Sequence, residues 1–570
     1  MPGPRSLAPA LGPAHRAVRG GGECHGQPDR EAPAATTSPA NILVAGAGPA
    51  GLALALQAHV HGAAVRIVDR RPQVFRPSRA LIMHARTLEV LRPLGVTQAL
   101  LARADTAPAV DLHLGGRVVR ASLGDLALPD TAFPHLSLVR QMDVERVLTR
   151  ALADRGISVE RGTELAGVRD GRDGVMAVLR SPAKVEEACF GFVAGCDGPA
   201  STVRSQARIG WHGRSYPVEV VLADVELDGE FAGGAAQVVA GWAGLVFLFR
   251  LGERAAWRLL ATRPVGPGPL PFGQLGPPVP APELQALVDQ AGMGARISGL
   301  AWSARVGLQH RVAGRFRCGR LFLAGDAAHA YSPATGQGMN AAIQDAANLG
   351  WKLAFAASQP AGSAVLLGSY DTERRPVARQ VLAMTHLAFW GEAATGRLPS
   401  LLRGTLAPLA APLVPVVLGR RRLVAEAIRV LSQLRVSYRG SPLSIEGTPW
   451  PRGGPRAGDR LPDTTVVSAG RAIRLHELLA RPGVHVLLGR DAGWPGTPPP
   501  GTLVHIHRLT SVPGRSLIAV RPDGYIGLRS QVAEATQLNV WLARIGVSTG
   551  PVGLGRSPTS FPPASEQRPS

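Results

Sequence analysis

Residues 319–353 read GRLFLAGDAAHAYSPATGQGMNAAIQDAANLGWKL. The apolar run 321–324 has the length and composition of a buried strand. It leads into Gly325-Asp326, which sets a carboxylate at the strand's C-terminal end. After Pro333, Gly336-Gln337-Gly338 makes a turn poor in side chains. A helix is expected from Met339 and Asn340 onward, with apolar positions recurring through Ile343, Ala347 and Trp351. A helix N-terminus approached by glycines presents unpaired N–H groups and a positive dipole end to a ligand bearing negative charge. Taken alone, such a joint belongs to any α/β domain. A partner near the start of the chain makes it specific.

There, 41–45 (NILVA) reads as a buried strand, and Gly46-Ala47-Gly48-Pro49-Ala50-Gly51 completes a GxGxxG turn. The apolar run 52–62 continues as a helix, and a second strand over 64–68 ends in Asp69, followed by Arg70. This is the dinucleotide fingerprint in its required context. Gly46 permits the sharp turn, Gly48 lets backbone approach a pyrophosphate, Gly51 lets helix pack on strand, and Asp69 takes ribose hydroxyls.

The chain has 570 residues, enough for several domains, with 45% hydrophobic and 18% charged residues, an ordinary globular composition. A net charge of +21 invites a nucleic-acid reading. The only lysines are Lys184 and Lys352, however, and the arginines are spread along the chain rather than gathered on one element, so no nucleic-acid partner is expected. Cys24, Cys189, Cys196 and Cys318 show neither CxxC nor metal spacing, which fits a reducing cytoplasm without disulfides or bound metal. Residues 1–39 lack an apolar core of the signal-peptide kind and read as a disordered extension. The most apolar later stretch, 406–418, is short and carries Pro408, Pro412 and Pro415, so no membrane partner is expected.

Further along, 79–95 (RALIMHARTLEVLRPLG) gives an amphipathic helix on which Arg86 reads as solvated. Arg79 stands where a guanidinium reaches a pyrophosphate on the first turn. Gln141 opens a helix that includes Glu145, and 193–198 is another strand ending in an acid–glycine pair, Asp197-Gly198, followed by Ser201 and Arg204. Acids at strand carboxyl ends are where open α/β sheets meet their ligands.

Together these segments resemble the FAD-dependent aromatic hydroxylases, the single-component flavoprotein monooxygenases related to phenol hydroxylase and p-hydroxybenzoate hydroxylase. The matching motifs are the GxGxxG turn at 46–51, DGxxSxxR from Asp197 to Arg204, and GD-x6-P from Gly325-Asp326 to Pro333. Glu373-Arg374-Arg375-Pro376 also matches, and Thr335 departs from the glycine many members carry there. The resemblance implies that Asp69 and Gln141 hold the adenosine and ribityl regions of FAD, Arg79 its pyrophosphate and Asp326 its ribityl chain. It implies that Pro333 and the turn with Gly336, Gly338, Met339 and Asn340 face the isoalloxazine, with Pro333 and Gly336 positioning the reactive flavin face. Asp197 and Arg204 then belong to a segment serving both FAD and NADH or NADPH.

The implied architecture is α/β: a Rossmann-like FAD-binding domain (40–207 and 305–400) with an inserted antiparallel β-sheet substrate domain (208–304). A helical connector (401–440), a C-terminal thioredoxin-like α/β domain (441–549) and a disordered tail (550–570) follow. Within the insertion, Trp242, Phe247, Phe249 and Trp302 are candidates for an aromatic pocket, though each alone reads more simply as core. Tyr216 and His212 are candidates to meet a phenol, and neither is singled out as base. No cysteine follows Cys318, so the last domain cannot perform thiol–disulfide chemistry and reads as scaffold or oligomer contact, a homodimer being one arrangement.

The implied function is NAD(P)H-consuming hydroxylation of a phenolic or polyketide-type aromatic by O2, through a flavin C4a-hydroperoxide. Baeyer–Villiger or epoxidising chemistry stands as the alternative, and a flavoprotein that sequesters an aromatic without turnover as the different-class reading. Halogenation is disfavoured because neither lysine lies in the motif context that branch uses.

Overall fold

The computed structural model describes residues 41–73, 82–114, 117–229, 235–241, 244–250, 257–266, 276–332, 336–359, 363–393, 401, 405, 409, 411–493 and 503–547. Arg79, Pro333, Thr335, Trp242, Cys24 and the two terminal segments lie outside them.

A six-stranded sheet carries the first half of the chain, in the order Arg317–Cys318, Leu321–Leu323, Phe192–Gly195, Ile42–Ala45, Val65–Asp69, Val159–Arg161. All its pairings are parallel except that of Arg317–Cys318 with Leu321–Leu323. Its central strands are buried along their whole length, as expected of parallel strands covered on both faces. The helix Pro49–Val60 is alanine- and leucine-rich and buries an unbroken run from Ala50 to Ala58 between the sheet and the helix Gln337–Ser358. Small residues bring these helices together: a Cβ on Gly350 would lie 2.7 Å from Cβ of Gln57.

The second sheet has eight strands, in the order His329–Ala330, Arg296–Ala313, Trp211–Asp228, Trp257–Pro264, Gly244–Arg250, Ala236–Gly241, Ala109–Leu114, Arg117–Ser122. The expected strands within 208–304 are present, but the sheet is wider than that insertion. The hairpin Ala109–Leu114 with Arg117–Ser122 extends its far edge by pairing in parallel with Ala236–Gly241, and Arg296–Ala313 runs on to pair with His329–Ala330. Their added backbone bonds leave fewer unpaired edge groups on a sheet that would otherwise end at Ala236–Gly241. One face packs on the helix Ala281–Gln290 through Leu284 and Val288. The other, with Val218, Val220, Leu222, Val306 and Leu308, meets Phe389 of the long helix Ser363–Ala393.

The connector holds the helices Val414–Gly419 and Arg421–Leu431. Beyond it lies a seven-stranded mixed sheet in the order Ile445–Glu446, Ile526–Ser530, Leu517–Val520, Val484–Gly489, Val504–Leu509, Thr465–Ser468, Arg471–Arg474. Val484–Gly489 and Val504–Leu509 are parallel, and Leu517–Val520 and Ile526–Ser530 continue antiparallel, with the helix Ala535–Arg544 behind. The hairpin of Thr465–Ser468 with Arg471–Arg474 is not legible as strand in sequence, because 471–474 reads Arg-Ala-Ile-Arg, a short edge segment without apolar–polar alternation.

Candidate active site

The three motifs meet at the carboxyl ends of three adjacent parallel strands, Leu321–Leu323, Phe192–Gly195 and Ile42–Ala45. Gly46 has φ +101°, and a Cβ there would sit 2.2 Å from the carbonyl oxygen of Cys196, so only glycine allows the first turn to pass the Cys196-Asp197 turn. A Cβ on Gly51 would collide with the carbonyl of Gly46 at 1.8 Å. Gly325, at φ +62°, seats its turn between Ala50 and Ala342. By contrast, a Cβ on Gly48 or Gly338 would meet no atom within 4 Å. Both glycines line open space at the start of a helix.

Those helices begin without side-chain caps. Gly48 is the N-cap of Pro49–Val60, and Gly336 (φ +64°) is the N-cap of Gln337–Ser358. Two sets of unpaired N–H groups and two positive dipole ends therefore face the strand ends. The left-handed residue of the second turn is Gly336, where a Cβ would lie 3.0 Å from that of Ile82.

The acids differ in their surroundings. Asp69 is buried: its Oδ2 accepts from the N–H of Ala47 at 2.7 Å and its Oδ1 from that of Arg71 at 2.8 Å, so the carboxylate braces the glycine turn. Arg70 is exposed beside it. Asp197 Oδ2 accepts from the N–H groups of Thr202 and Val203, while its Oδ1 is buried with no hydrogen-bond partner. Burial pushes the Asp197 carboxyl up against these bonds and the Ser201 hydroxyl. Asp326 projects exposed from the turn Gly325–Ala327.

Several other residues expected at the cofactor also make hydrogen bonds within the protein. Arg204 donates to the carbonyls of Ala327 (2.9 Å) and Pro199 (2.5 Å) and stacks 4.1 Å from Trp211, tying the DGxxSxxR segment to the Gly325-Asp326 turn. Asn340 accepts from the N–H of His84 and the hydroxyl of Thr87, and donates to the carbonyls of Ile82 and Gly336. Its side chain holds the turn. Gln141 donates to Glu145 Oε1 at 2.8 Å, and Met339 is buried behind the turn. Arg86, expected in solvent, is buried instead: it pairs with Glu89, donates to the carbonyl of Asp523 and lies over Tyr525. The C-terminal sheet covers the helix face that looks free in sequence.

Sequence reading missed the support beneath the Gly325 turn. Asp345 accepts from the N–H of Gly325, from His329 Nε2 and from Arg374 Nε, all buried. Its sequence signal is that it is the one acid in the helix Gln337–Ser358. It also explains the Glu373-Arg374 match: Arg374 binds Asp345 and Tyr438, while Glu373 binds Lys352 and Arg521.

The face of the eight-stranded sheet that meets Phe389 also carries aromatic residues. Its register aligns Phe247, Leu260 and Leu222 in one row and Phe249, Arg258, Asp224 and Trp302 in the next. Phe247 and Phe249 stack at 5.7 Å. Tyr216 lies near this face with its hydroxyl between His310 and His386, whereas His212 is exposed.

Residues 39–253 and 281–385 match the family described as FAD binding domain. A 6-methylpretetramide 4-monooxygenase of Streptomyces rimosus is 35% identical, over 71% of each chain. A 12-dehydrotetracycline 5-monooxygenase/anhydrotetracycline 6-monooxygenase of Streptomyces rimosus subsp. rimosus is 31% identical, over 85% of this chain and 94% of its own. Among solved structures, an aromatic hydroxylase from angucycline biosynthesis superposes with a TM-score of 0.69 at 27% identity, over 90% of this chain and 100% of its own.

Proposed function

The chain belongs to the FAD binding domain family and is a flavin-dependent monooxygenase, and from that premise we propose that it hydroxylates a fused-ring phenolic substrate of polyketide type. FAD, when bound, supplies hydride acceptance from NADH or NADPH and the activation of O2. The observation that carries the reading is the pair of uncapped helix N-termini joined to three adjacent strand ends.

The residues present fit FAD. The open space at Gly48 suits a pyrophosphate, with the N–H groups of Ala50 and Gly51 toward it. Asp69, bonded to the N–H of Ala47 and to the backbone and guanidinium of Arg71, stands at the strand end where ribose hydroxyls are read, and Asp326 is exposed for ribityl hydroxyls. Gly336 and Gly338 bring backbone N–H groups toward the flavin ring's pyrimidine edge, where negative charge gathers on reduction. Arg79 and Pro333 are proposed, on sequence alone, at the pyrophosphate and the flavin face. Arg204, Asn340 and Asp345 hold these pieces in register. Phe247, Phe249 and Trp302 on one face of the sheet suit a flat multi-ring substrate. Among the described residues no helix is long and apolar enough to cross a membrane. The C-terminal sheet is proposed as a thioredoxin-like scaffold, a role supported by the ion pairs that fasten it to the FAD-binding half.

The test is oxidation of NADPH and NADH by the purified protein with a panel of phenols and polycyclic quinones, assayed for product. Ligand-stimulated oxidation coupled to a hydroxylated product is expected. A protein that purifies colourless and cannot be reloaded with FAD overturns the reading.

A further inference from the structure

Where the C-terminal sheet closes on the helix Ala85–Leu91, a cavity of about 30 Å³ remains, room for about two waters or a single small ion. Arg86 lines it from that helix, and Arg92 from the 3-10 turn Arg92–Leu94 that follows. The C-terminal half adds the buried Arg521 and the exposed Arg481. Two carboxylates, Glu89 and Asp523, and two imidazoles, His476 and His485, complete its polar lining.

The acids and the imidazoles are already engaged. Asp523 accepts from Arg521 Nε and Nη2 and from Asn348. Glu89 accepts from Arg460 twice, from Arg86 Nη1 and from the hydroxyl of Thr131. His476 Nε2 lies 2.8 Å from the carbonyl oxygen of Leu461, and His485 lies between the carbonyl of Arg481 at 2.9 Å and His507 at 3.0 Å. Two donors are left over. Nε of Arg86, a residue 2% exposed, and Nη1 of Arg92 are both buried with no hydrogen-bond partner. The ion pair of Arg92 with Glu477 is made by Nη2 and is long, 3.7 Å.

Charge is unbalanced in the same direction. Burial pushes the Glu89 carboxyl up, but Arg460, with His476 and Arg86, outweighs that and holds it ionised, well below the usual carboxylate range. Its single charge is shared by Arg86 and Arg460, and Asp130, which also meets Arg460, is shared in turn with Arg429. Three guanidiniums therefore stand against two carboxylates. Water in the cavity would satisfy the two free N–H groups and leave the surplus charge uncompensated, whereas an anion answers both.

We propose that this cavity is a binding site for a small monovalent anion of chloride's size, held between Arg86 Nε and Arg92 Nη1, where it helps to lock the C-terminal sheet onto the cofactor-binding half. The cavity is too small for phosphate or sulfate. Arg92 and Arg481 are accessible to solvent, which gives the ion a way in. The site requires nothing of the flavin chemistry.

The test follows thermal unfolding of the FAD-loaded protein as chloride replaces gluconate, an anion too large for the cavity, at constant ionic strength. Wild type is expected to melt about 2 °C or more higher in chloride. Arg92→Gln is expected to lose that increment, whereas a halide effect seated at the flavin crevice would survive the substitution. Crystals soaked in bromide are expected to show an anomalous peak between Arg86 and Arg92. Should Arg92→Gln fail to fold, that peak and the wild-type melting carry the test together. Equal melting in chloride and gluconate, an undiminished increment in Arg92→Gln, or water density without bromide signal in the cavity overturns the proposal. A bromide peak without a rise in melting temperature marks binding at crystal concentration only and overturns it as well.

Discussion

A methyl group on Gly46 would sit 2.2 Å from the carbonyl oxygen of Cys196, whereas one on Gly48 would meet nothing within 4 Å. The two glycines of one motif therefore answer to different constraints, the first to the fold and the second to the ligand. Gly46→Ala is expected to lower the melting temperature and abolish FAD retention together. Gly48→Ala is expected to leave the melting temperature of the apoprotein unchanged while weakening FAD by about tenfold or more, as a side chain displaces the pyrophosphate from the helix N-terminus. Flavin fluorescence titration beside thermal unfolding checks both, and equal losses in both variants would show that Gly48 is not at the cofactor. Spacing made these residues legible, because a tight turn before a helix leaves few alternatives. Arg86 was misread because a helix face looks solvated in sequence until another element is known to cover it.

The helix Gln337–Ser358 does two tasks along its length. Its N-terminus faces the crevice, and about two turns further on Asp345 holds the Gly325 turn through a backbone N–H. Burial pushes the Asp345 carboxyl up, but His329 and Arg374 outweigh that and hold it below the usual carboxylate range. A depressed carboxyl contributes stability above its unfolded value and loses it as pH falls through the folded one, so the contribution is intact at neutral pH and drains only in strong acid. Asp345→Asn leaves the Arg374 guanidinium buried without its partner, which costs roughly 3–5 kcal/mol. A lowered urea midpoint at pH 7, with the gap to wild type narrowing toward strong acid, is the expected outcome. The helix itself was legible from its apolar period. The work of Asp345 was not, since its partners lie 16, 20 and 29 residues away in the chain.

Across the whole molecule, buried charges join the C-terminal sheet to the cofactor-binding half. Arg521 pairs with Glu373 at 2.7 Å and 2.8 Å, Glu373 with Lys352 at 2.7 Å, and Arg460 with Glu89 at 2.7 Å. Nearby, burial holds His61 of the first helix's end at about 4, and His485 and His507 of the C-terminal sheet at about 3 and about 4. Folded values below the unfolded one mean that the unfolded chain binds more protons between them. Stability is therefore full above about pH 6.5 and falls as pH drops toward 4. His485→Phe is expected to flatten that fall, measured as the urea midpoint at pH 7, 6, 5 and 4 against wild type; an unaltered slope would exclude this group. The sequence by itself determined the nucleotide crevice and the class of chemistry, because strand, glycine turn, helix and acid are local and their spacing is constrained by backbone sterics. Only the tertiary structure decided which carboxylates and guanidiniums brace the site, and which histidines meet Tyr216. Those pairings join residues far apart in the chain, and burial, which sets their charge and their partners, exists only once the sheets have closed over them.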